Sequence, residues 1–376
     1  MKKEIVAVGL LTLGSLHAES NYTLDGYIRG SYQYHNVKND KIYRDDALGG
    51  KIHFETAPTD GVSLGAGIYG TTALFNDDNR GLIPLRGDNH KSYGIVGEAY
   101  LKGEFGKNLI KLGRQEIETP FAQVDDIGMI PNTFEALTLI NSNIKDTTIF
   151  LGQIQKMAGV DAEVIDKFTK LNGSKGMQVL GLTYEGIENL SLMSWYYRLS
   201  GGEIDTISYL EADYEQEFGS YGYSFGLQYA KQGHNIGGST KVLGGTLSFT
   251  AKNMGLTLTS SYNETKDGSA FSGFGGGPFF SNSEYLIIDN GGDNCKAKWI
   301  GGEFDASILG LDGLSVGLGK ITLEQEDKRD STEMDLVASY AIDKDMEIHL
   351  IYSDLKGSNV GEDDAKHLRV YANYNF

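Results

Sequence analysis

The sequence is short of cysteine, proline and long apolar runs, and these shortages exclude whole classes of fold. Cys295 is the only cysteine, so no intramolecular disulfide can form and the fold must be stable without one. After the amino-terminal leader, no segment offers the ~18 consecutive apolar residues that a membrane-spanning helix requires. A helical membrane protein is therefore excluded.

Basic residues are also scarce. Lys and Arg number 33 against 51 Asp and Glu, so the formal net charge is −18. A chain of this charge repels a phosphate backbone, which argues against nucleic acid as a partner. The seven histidines show no metal-ligand spacing, and the glycine-rich run at 273–277 lacks the Lys-Ser/Thr of a phosphate-binding loop. We expect neither a cofactor nor an enzymatic site.

Residues 1–18 have the layout of a secretory signal peptide. Lys2 and Lys3 precede the apolar run from Ile5 to Leu16, and His17-Ala18 closes the segment. Cleavage after Ala18 would leave 31 basic and 50 acidic residues, a net charge of −19. We expect an exported protein in which residues 19–376 form one domain.

The mature chain alternates apolar or small residues with polar ones along many short segments, as in Leu24, Gly26 and Ile28 against Asp25 and Arg29. This rhythm predicts eighteen strands: 22–35, 47–56, 61–71, 92–105, 108–115, 134–141, 146–154, 176–185, 189–199, 205–216, 221–231, 241–252, 255–264, 297–307, 313–323, 332–341, 346–354 and 366–376. Short turns follow the even strands, and most connections after the odd strands are longer. The last strand ends on Phe376.

These features together predict an all-β protein, a transmembrane antiparallel β-barrel of about 18 strands in the bacterial outer membrane. One alternating strand would suit a soluble β-sandwich equally well. The leader, the alternation of loop lengths and the terminal aromatic residue favour the barrel. Its expected partners are outer-membrane lipid, lipopolysaccharide and the barrel assembly machinery that reads the last strand.

The stretch from Arg114 to Leu137 interrupts the pattern. It contains Pro120 and Pro131, two of only five prolines, and it mixes apolar and acidic residues without a regular period. We predict that this third loop, about 116–133, folds into the barrel and constricts the pore, the alternative being a surface turn. The candidate constriction residues are Arg114, Glu116, Glu118, Asp125 and Asp126.

Two regions resemble the OprD family of outer-membrane porins. The first comprises LeuGlyArgGln at 112–115, Thr119-Pro120 and AspAspIleGlyMetIleProAsnThrPheGlu at 125–135. The second is the long extracellular loop at about 265–296, with PheGlyGlyGlyProPhePhe at 274–280, and the hairpin that follows it. The resemblance implies an eighteen-stranded, substrate-selective channel, narrowed by its third loop, that favours solutes carrying carboxylates.

The alternation assigns charged residues to two walls of the interior. The predicted basic wall is Arg29, Lys51, Lys102, Lys111, Arg198 and Arg369. The predicted acidic wall is Glu211, Asp213, Glu303, Asp305, Glu333 and Asp335. In all, the alternation turns twelve strand acids inward, these six among them, against six bases. We therefore expect a passive, cation-biased channel for small charged or zwitterionic solutes, formed by a monomer or a loose trimer.

Three alternatives stay open at this point. The first is a carboxylate-selective channel with a ladder of basic residues. The others are an outer-membrane enzyme that assembles Ser, His and an acid from distant strands, and a structural or adhesive barrel. Acidic pairs such as Asp45-Asp46 and Asp77-Asp78 are interpreted as solvated loop charge, with divalent-cation sites that bridge lipopolysaccharide as the alternative.

Overall fold

The computed structural model describes residues 22–40, 42–77, 83–87, 90–171, 175–199, 201–326, 329–357 and 364–376. The predicted signal peptide lies outside these residues. Eighteen long antiparallel strands form one closed sheet: β1 Tyr22–Val37, β2 Ile42–Thr56, β3 Val62–Asp77, β4 Tyr93–Phe105, β5 Asn108–Gln115, β6 Thr133–Asn141, β7 Thr147–Ala158, β8 Met177–Ile187, β9 Leu190–Leu199, β10 Ile204–Phe218, β11 Tyr221–His234, β12 Ser239–Ala251, β13 Leu256–Lys266, β14 Lys296–Asp305, β15 Leu314–Glu324, β16 Ser331–Ala341, β17 Met346–Lys356 and β18 Ala365–Asn375.

Each strand pairs with its sequence neighbours, and β1 pairs with β18 to close the barrel. Gly30 lies opposite Ala372, and Gly26 and Phe376 exchange two backbone hydrogen bonds of 3.1 and 3.0 Å. Closure leaves no free sheet edge, so the backbone groups of the first and last strands have partners. The predicted antiparallel barrel of eighteen strands is confirmed.

The two faces of the sheet differ as the alternation predicts. Apolar side chains such as Leu24, Ile52 and Ile68 are 52%, 57% and 68% exposed on the outer face. Polar side chains between them, including Arg29 and Gln33, are buried inside. A barrel with an apolar outside and a polar inside suits a hydrocarbon surround.

Some strands are longer than predicted. Strand β2 begins at Ile42 rather than at 47, which places Asp45 and Asp46 within the sheet rather than in a solvated loop. Asp45 is 1% exposed and accepts a 2.6 Å hydrogen bond from Arg86, and Asp46 accepts one from the backbone of Phe75. These partners take the place of water and of any divalent cation, and they account for the extension of the strand.

Short 3₁₀ turns at Lys252–Met254, Ile288–Gly291 and Ala306–Leu309 complete the regular structure, together with a two-residue strand, Thr169–Lys170, that pairs with β7. Within the described ranges, no helix is long and apolar enough to cross a membrane. In the same residues, no group of three His, Cys, Asp or Glu side chains is arranged to hold a metal ion.

The apolar core lies inside the barrel, where three connections fold inward. The first follows β3 and is held by two hydrogen bonds. The side chain of Gln33 donates to the backbone oxygen of Ile83, and the hydroxyl of Thr71 donates to the backbone oxygen of Leu85. The second is 116–132, after β5. The third is 267–295, after β13, which the sequence analysis treats only as a long extracellular loop. The last two supply Phe121 and Phe279, both 0% exposed, to the main apolar cluster.

Substitutions in the buried Arg86–Asp45 pair test whether this pair holds the first inward connection in place. Both side chains are 1% exposed, so replacing Asp45 with Asn leaves a buried, uncompensated guanidinium. We expect a loss of about 3 kcal/mol in the free energy of unfolding, measured by urea titration of the lipid-folded barrel. The double variant Asp45→Leu/Arg86→Met should recover most of this loss, and the exposed Asp312→Asn serves as the control. Equal stability of Asp45→Asn and the wild type would contradict the assignment.

Candidate functional site

The second inward connection is fixed in the barrel by the ring of Phe121. Its centroid lies 5.4 Å from Tyr197 and 5.6 Å from Tyr209, which point inward from β9 and β10, and 5.9 Å from Phe279 of the third connection. All three contacts are edge-to-face, and the hydroxyl of Tyr197 also accepts a 3.3 Å hydrogen bond from the backbone nitrogen of Phe121. The apolar residues of 116–132 thus bind the inner wall.

Glycines let the third connection approach the second at backbone distance. The backbone nitrogen of Gln123 donates to the oxygen of Phe274, and the nitrogen of Phe274 donates to the oxygen of Phe121, each at 3.0 Å. Gly275 has φ +111°, and a Cβ there would lie 2.5 Å from the oxygen of Gln123. The glycine run at 275–277 therefore serves close contact between two loops.

Asp125 lies where three connections meet. Its carboxylate accepts a 2.9 Å hydrogen bond from the backbone nitrogen of Gly276 and interacts with the carboxyl group of Asp161, on the 159–176 connection. Asp161 in turn accepts a 2.6 Å hydrogen bond from the side-chain amide of Asn132. Enclosure by protein, and then the neighbouring Asp161, raise the pKa of Asp125 to about 7.

Glu118 is the second acid of this loop with an altered pKa. Its side chain is exposed to the interior space, where the surrounding wall limits hydration and raises its pKa to about 7. One carboxylate oxygen accepts a 3.4 Å hydrogen bond from the backbone nitrogen of Val124. Asp125 and Glu118 therefore both titrate in the neutral range.

Arg29 and Arg369 bind the opposite side of the loop. Arg29 donates two hydrogen bonds to the carboxylate of Asp126, at 2.8 and 2.7 Å, and one to the backbone oxygen of Gly128. Arg369 donates to the backbone oxygen of Ile127 at 3.0 Å. The forked guanidinium groups hold the loop, and these contacts neutralise most of their charge.

Arg369 has an acidic partner of its own. Its guanidinium lies 3.1 Å from the carboxylate of Glu284, which comes from the third connection. The guanidinium groups of Arg29 and Arg369 also lie 5.2 and 5.5 Å from the ring centre of Tyr371. One tyrosine thus stabilises both cations on the inner wall.

Lys51 and Glu116 form a second paired group. Lys51 Nζ lies 2.6 Å from the carboxylate of Glu116, which the Tyr69 hydroxyl also approaches at 2.9 Å. The same hydroxyl lies 2.9 Å from Glu98. Because a tyrosine has one proton to donate, it serves one carboxylate at a time and links the two.

Lys102 and Lys111 differ in their neighbours. Lys102 forms ion pairs with Glu55 and, at 3.1 Å, with Glu104. Lys111 Nζ lies 3.7 Å from the ring centre of Tyr100 and has no carboxylate within ion-pair distance among the described residues. Lys111 is therefore the base of the predicted wall whose charge is least neutralised.

The structure places two predicted site residues outside the interior. Arg198 is exposed, and it alternates with the buried Tyr197 and Leu199, so it faces outward from β9. Arg114 lies on the same side of β5 as the exposed Leu112 and is 3.8 Å from Glu135. The prediction for Arg198 is wrong because, near a strand end, a one-residue error in alternation moves a side chain to the other face. The prediction for Arg114 is wrong because this residue belongs to β5 and not to the irregular segment that follows it.

The predicted acidic wall divides into two sets. Glu333 and Asp335 lie beneath the third connection: Glu333 accepts from the backbone nitrogens of Tyr285 and Leu286, and Asp335 from the hydroxyl of Ser283. The other four residues of the wall lie on different strands: Glu211 and Asp213 on β10, and Glu303 and Asp305 on β14. Asp305 accepts a 3.0 Å hydrogen bond from the backbone nitrogen of Ser307.

Sequence reasoning missed three residues that matter to this arrangement, namely Glu284, Tyr69 and Asp161. Tyr69 was within reach, because it shares the inward face of β3 with Ser63. Glu284 and Asp161 belong to irregular connections, where no periodicity indicates direction. Their roles depend on contacts with residues 85 and 36 positions away along the chain.

The family model described as outer membrane porin, OprD family, matches residues 26–376. No curated protein matches the sequence. Among solved structures, the chain is similar to Pseudomonas aeruginosa OccK9 (OpdG), with a TM-score of 0.82, 17% identity, and coverage of 95% of this chain and 98% of that chain. Acinetobacter baumannii OccAB4 gives a TM-score of 0.82 at 15% identity, with coverage of 95% and 98%.

A structure of Pseudomonas aeruginosa OpdK with vanillate is also similar, with a TM-score of 0.81 and 17% identity over 95% of this chain and 98% of that chain. At such identities the likeness to solved structures establishes the fold.

The contact between the second and third connections is tested by Gly275→Ala. A Cβ at this position meets the oxygen of Gln123, so we expect the third connection to detach while the barrel stays closed. Limited proteolysis of the detergent-solubilised protein should then cut within 267–295 at least tenfold faster. Gly237→Ala is the matched control, because Gly237 also has a positive φ, of +92°, but faces open space. Equal cleavage rates in the two variants would refute the contact.

Proposed function

Because the chain belongs to the OprD family of outer membrane porins, and so is an outer-membrane channel for the uptake of small solutes rather than an enzyme, we propose that its pore is constricted, net acidic and cation-biased. The solutes would be small cations and zwitterions that pass by diffusion. Outer-membrane lipid surrounds the barrel. The signal peptide, the assembly machinery and the monomeric or loosely trimeric state remain predictions.

The observation that carries this proposal is the pairing of the lumenal bases. Of the six predicted wall bases, five face the interior, and four of these lie beside a carboxylate: Arg29 beside Asp126, Lys51 beside Glu116, Lys102 beside Glu55 and Arg369 beside Glu284. Paired charges contribute little net field at a distance. The field in the constriction is therefore set by the remaining acids, Glu118 and Asp125 among them, which attract cations.

The constriction itself is proposed from the position of segment 116–132. Its apolar side binds aromatic rings on β9 and β10, and its charged side binds arginines on β1 and β18. Segment 116–132 is thus attached to two different parts of the barrel wall and crosses the interior between them. A solute must pass beside this segment, close to Glu118 and Asp125.

A carboxylate-selective channel is the second candidate, and one observation favours it. Lys111 lies over the ring of Tyr100, with no described carboxylate within ion-pair distance, and could bind an anionic group of a solute. OpdK, whose structure contains the carboxylate vanillate, shows the same fold. A zwitterion would satisfy both observations, with its amine near the acids and its carboxylate near Lys111.

Reversal potentials in a salt gradient across a planar bilayer test the charge balance. We expect cation preference in the wild type, an increase in Arg29→Gln, which frees Asp126, and a decrease in Asp126→Asn, which frees Arg29. Each change should alter the permeability ratio about twofold or more. Arg198→Gln is the matched control, because it removes the same charge from the outer face. Anion preference of the wild type at low salt would overturn the proposal.

The pH dependence provides a separate test. Acids with pKa values raised to about 7 are charged above neutrality and lose charge as the pH falls. Cation preference should therefore decline between about pH 8 and pH 5.5, with a midpoint near 7, and Glu118→Gln/Asp125→Asn should flatten this curve. A midpoint near the ordinary carboxylate pKa of about 4 in the wild type would show that unshifted acids set the selectivity.

A further inference from the structure

A cleft of about 620 Å³ opens at the end of the barrel that carries the long connections. Residues of three of these connections border it: Glu203 after β9, 236–238 after β11, and 267–271 with Asp293 after β13. The backbone nitrogen of Asn235 donates to the oxygen of Glu203 at 2.8 Å and joins the first two. The volume falls within the range of small-molecule sites.

The charge of the cleft is negative. Glu203, Asp267 and Asp293 line it, and no lysine or arginine is among the described residues that do. Asp267 is paired with Lys241 at 2.8 Å, outside the lining. Asp293 accepts a 2.5 Å hydrogen bond from Ser269, and that bond leaves its charge in place. Two carboxylates, Glu203 and Asp293, therefore supply uncompensated negative charge to one cavity.

The cleft also offers apolar surface. Ile204 and Phe271 line it from the buried side, and Ile236 at the tip of the β11–β12 hairpin is 100% exposed. Carboxylates beside aliphatic and aromatic groups suit a ligand that has both an ammonium group and an alkyl chain. A hydrated metal ion would gain nothing from the apolar part.

The floor of the cleft is continuous with the constriction. Phe271 is fixed by two hydrogen bonds to the side chain of Gln232, at 3.0 and 2.6 Å, and its ring meets that of Phe274 at 5.6 Å. Phe274 in turn is hydrogen-bonded to Gln123 and Phe121 of segment 116–132. A short series of contacts thus links the cleft to segment 116–132.

We propose that this cleft is a binding site for small organic ammonium ions, in which Glu203 and Asp293 contact the ammonium group and Ile204, Ile236 and Phe271 contact the alkyl chain. The site holds the solute at the outer mouth before it reaches the constriction. As a step in uptake, this inference rests on the proposed cation-biased channel, whereas binding itself does not.

Isothermal titration calorimetry of the full-length protein in detergent, with n-butylammonium chloride, measures the site directly. Glu203→Gln/Asp293→Asn should raise the dissociation constant about fivefold, from the usual strength of partly exposed ion pairs. Both substitutions keep side-chain size, and the amide introduced in place of the Asp293 carboxylate keeps an oxygen for Ser269. Glu163→Gln, an acid on the 159–176 connection outside the cleft, is the matched control and should bind as the wild type does.

Ile236→Ser separates the apolar contribution from the charge. Because this side chain is fully exposed, its replacement leaves the fold intact. It should weaken n-butylammonium about twofold and leave methylammonium unchanged, since only the longer chain reaches the apolar surface. The cleft acids should not favour butyrate, so any binding of butyrate should be no weaker in Glu203→Gln/Asp293→Asn than in the wild type.

Planar-bilayer recording distinguishes the two proposals. n-Butylammonium added on the side of the long connections should interrupt the current, with shorter interruptions in Glu203→Gln/Asp293→Asn and an unchanged reversal potential. Calorimetric binding without conductance would sink the channel proposal and keep the cleft. Cation-selective conductance with equal dissociation constants in the wild type and the double variant would sink the cleft and keep the channel. Butyrate binding that is weakened by Glu203→Gln/Asp293→Asn would also overturn it.

Discussion

Closure of the hydrogen-bonded sheet is the constraint on which the rest of this structure depends. A strand surrounded by hydrocarbon cannot leave backbone groups unpaired, so the first strand must meet the last, as Gly26 and Phe376 do. Once the sheet is closed, each residue faces either inward or outward. Most of the apolar half of the alternation then faces lipid. The inner wall is polar apart from strand residues such as Ile154, Trp195 and Ile207, which contribute to an apolar cluster inside the barrel.

The inward connections complete this cluster, and polar residues of the walls hold the connections in place. Phe121 and Phe279 form an aromatic centre with rings from β9 and β10. Glu333 and Arg29, which a count of charges would treat as pore-lining, bind loop atoms instead. Much of the charge inside the barrel therefore has a structural role. A solute inside the barrel would meet only the charged groups that do not take part in these contacts.

This distinction links the proposed selectivity to the proposed ammonium site. Paired bases leave an acidic constriction, and the third connection carries acids and apolar groups outward from it to the mouth. Phe271 and Phe274 of this connection contact each other, and they link the cleft to segment 116–132, the proposed constriction. A solute carrying an ammonium group would therefore meet negative charge along the whole path.

The sequence alone determined the barrel, its eighteen strands, its short and long connections and the family, because a period of two residues and a closed sheet leave few choices. It also singled out segment 116–133 as an irregular connection and predicted most of the charged residues on the inner face. Tertiary structure decided the rest. Arg114 and Arg198 face outward, Asp45 belongs to a strand, and Glu284 and Asp161 join the site, because irregular connections have no period. Their positions depend on contacts between residues far apart in the chain, which only the folded barrel brings together.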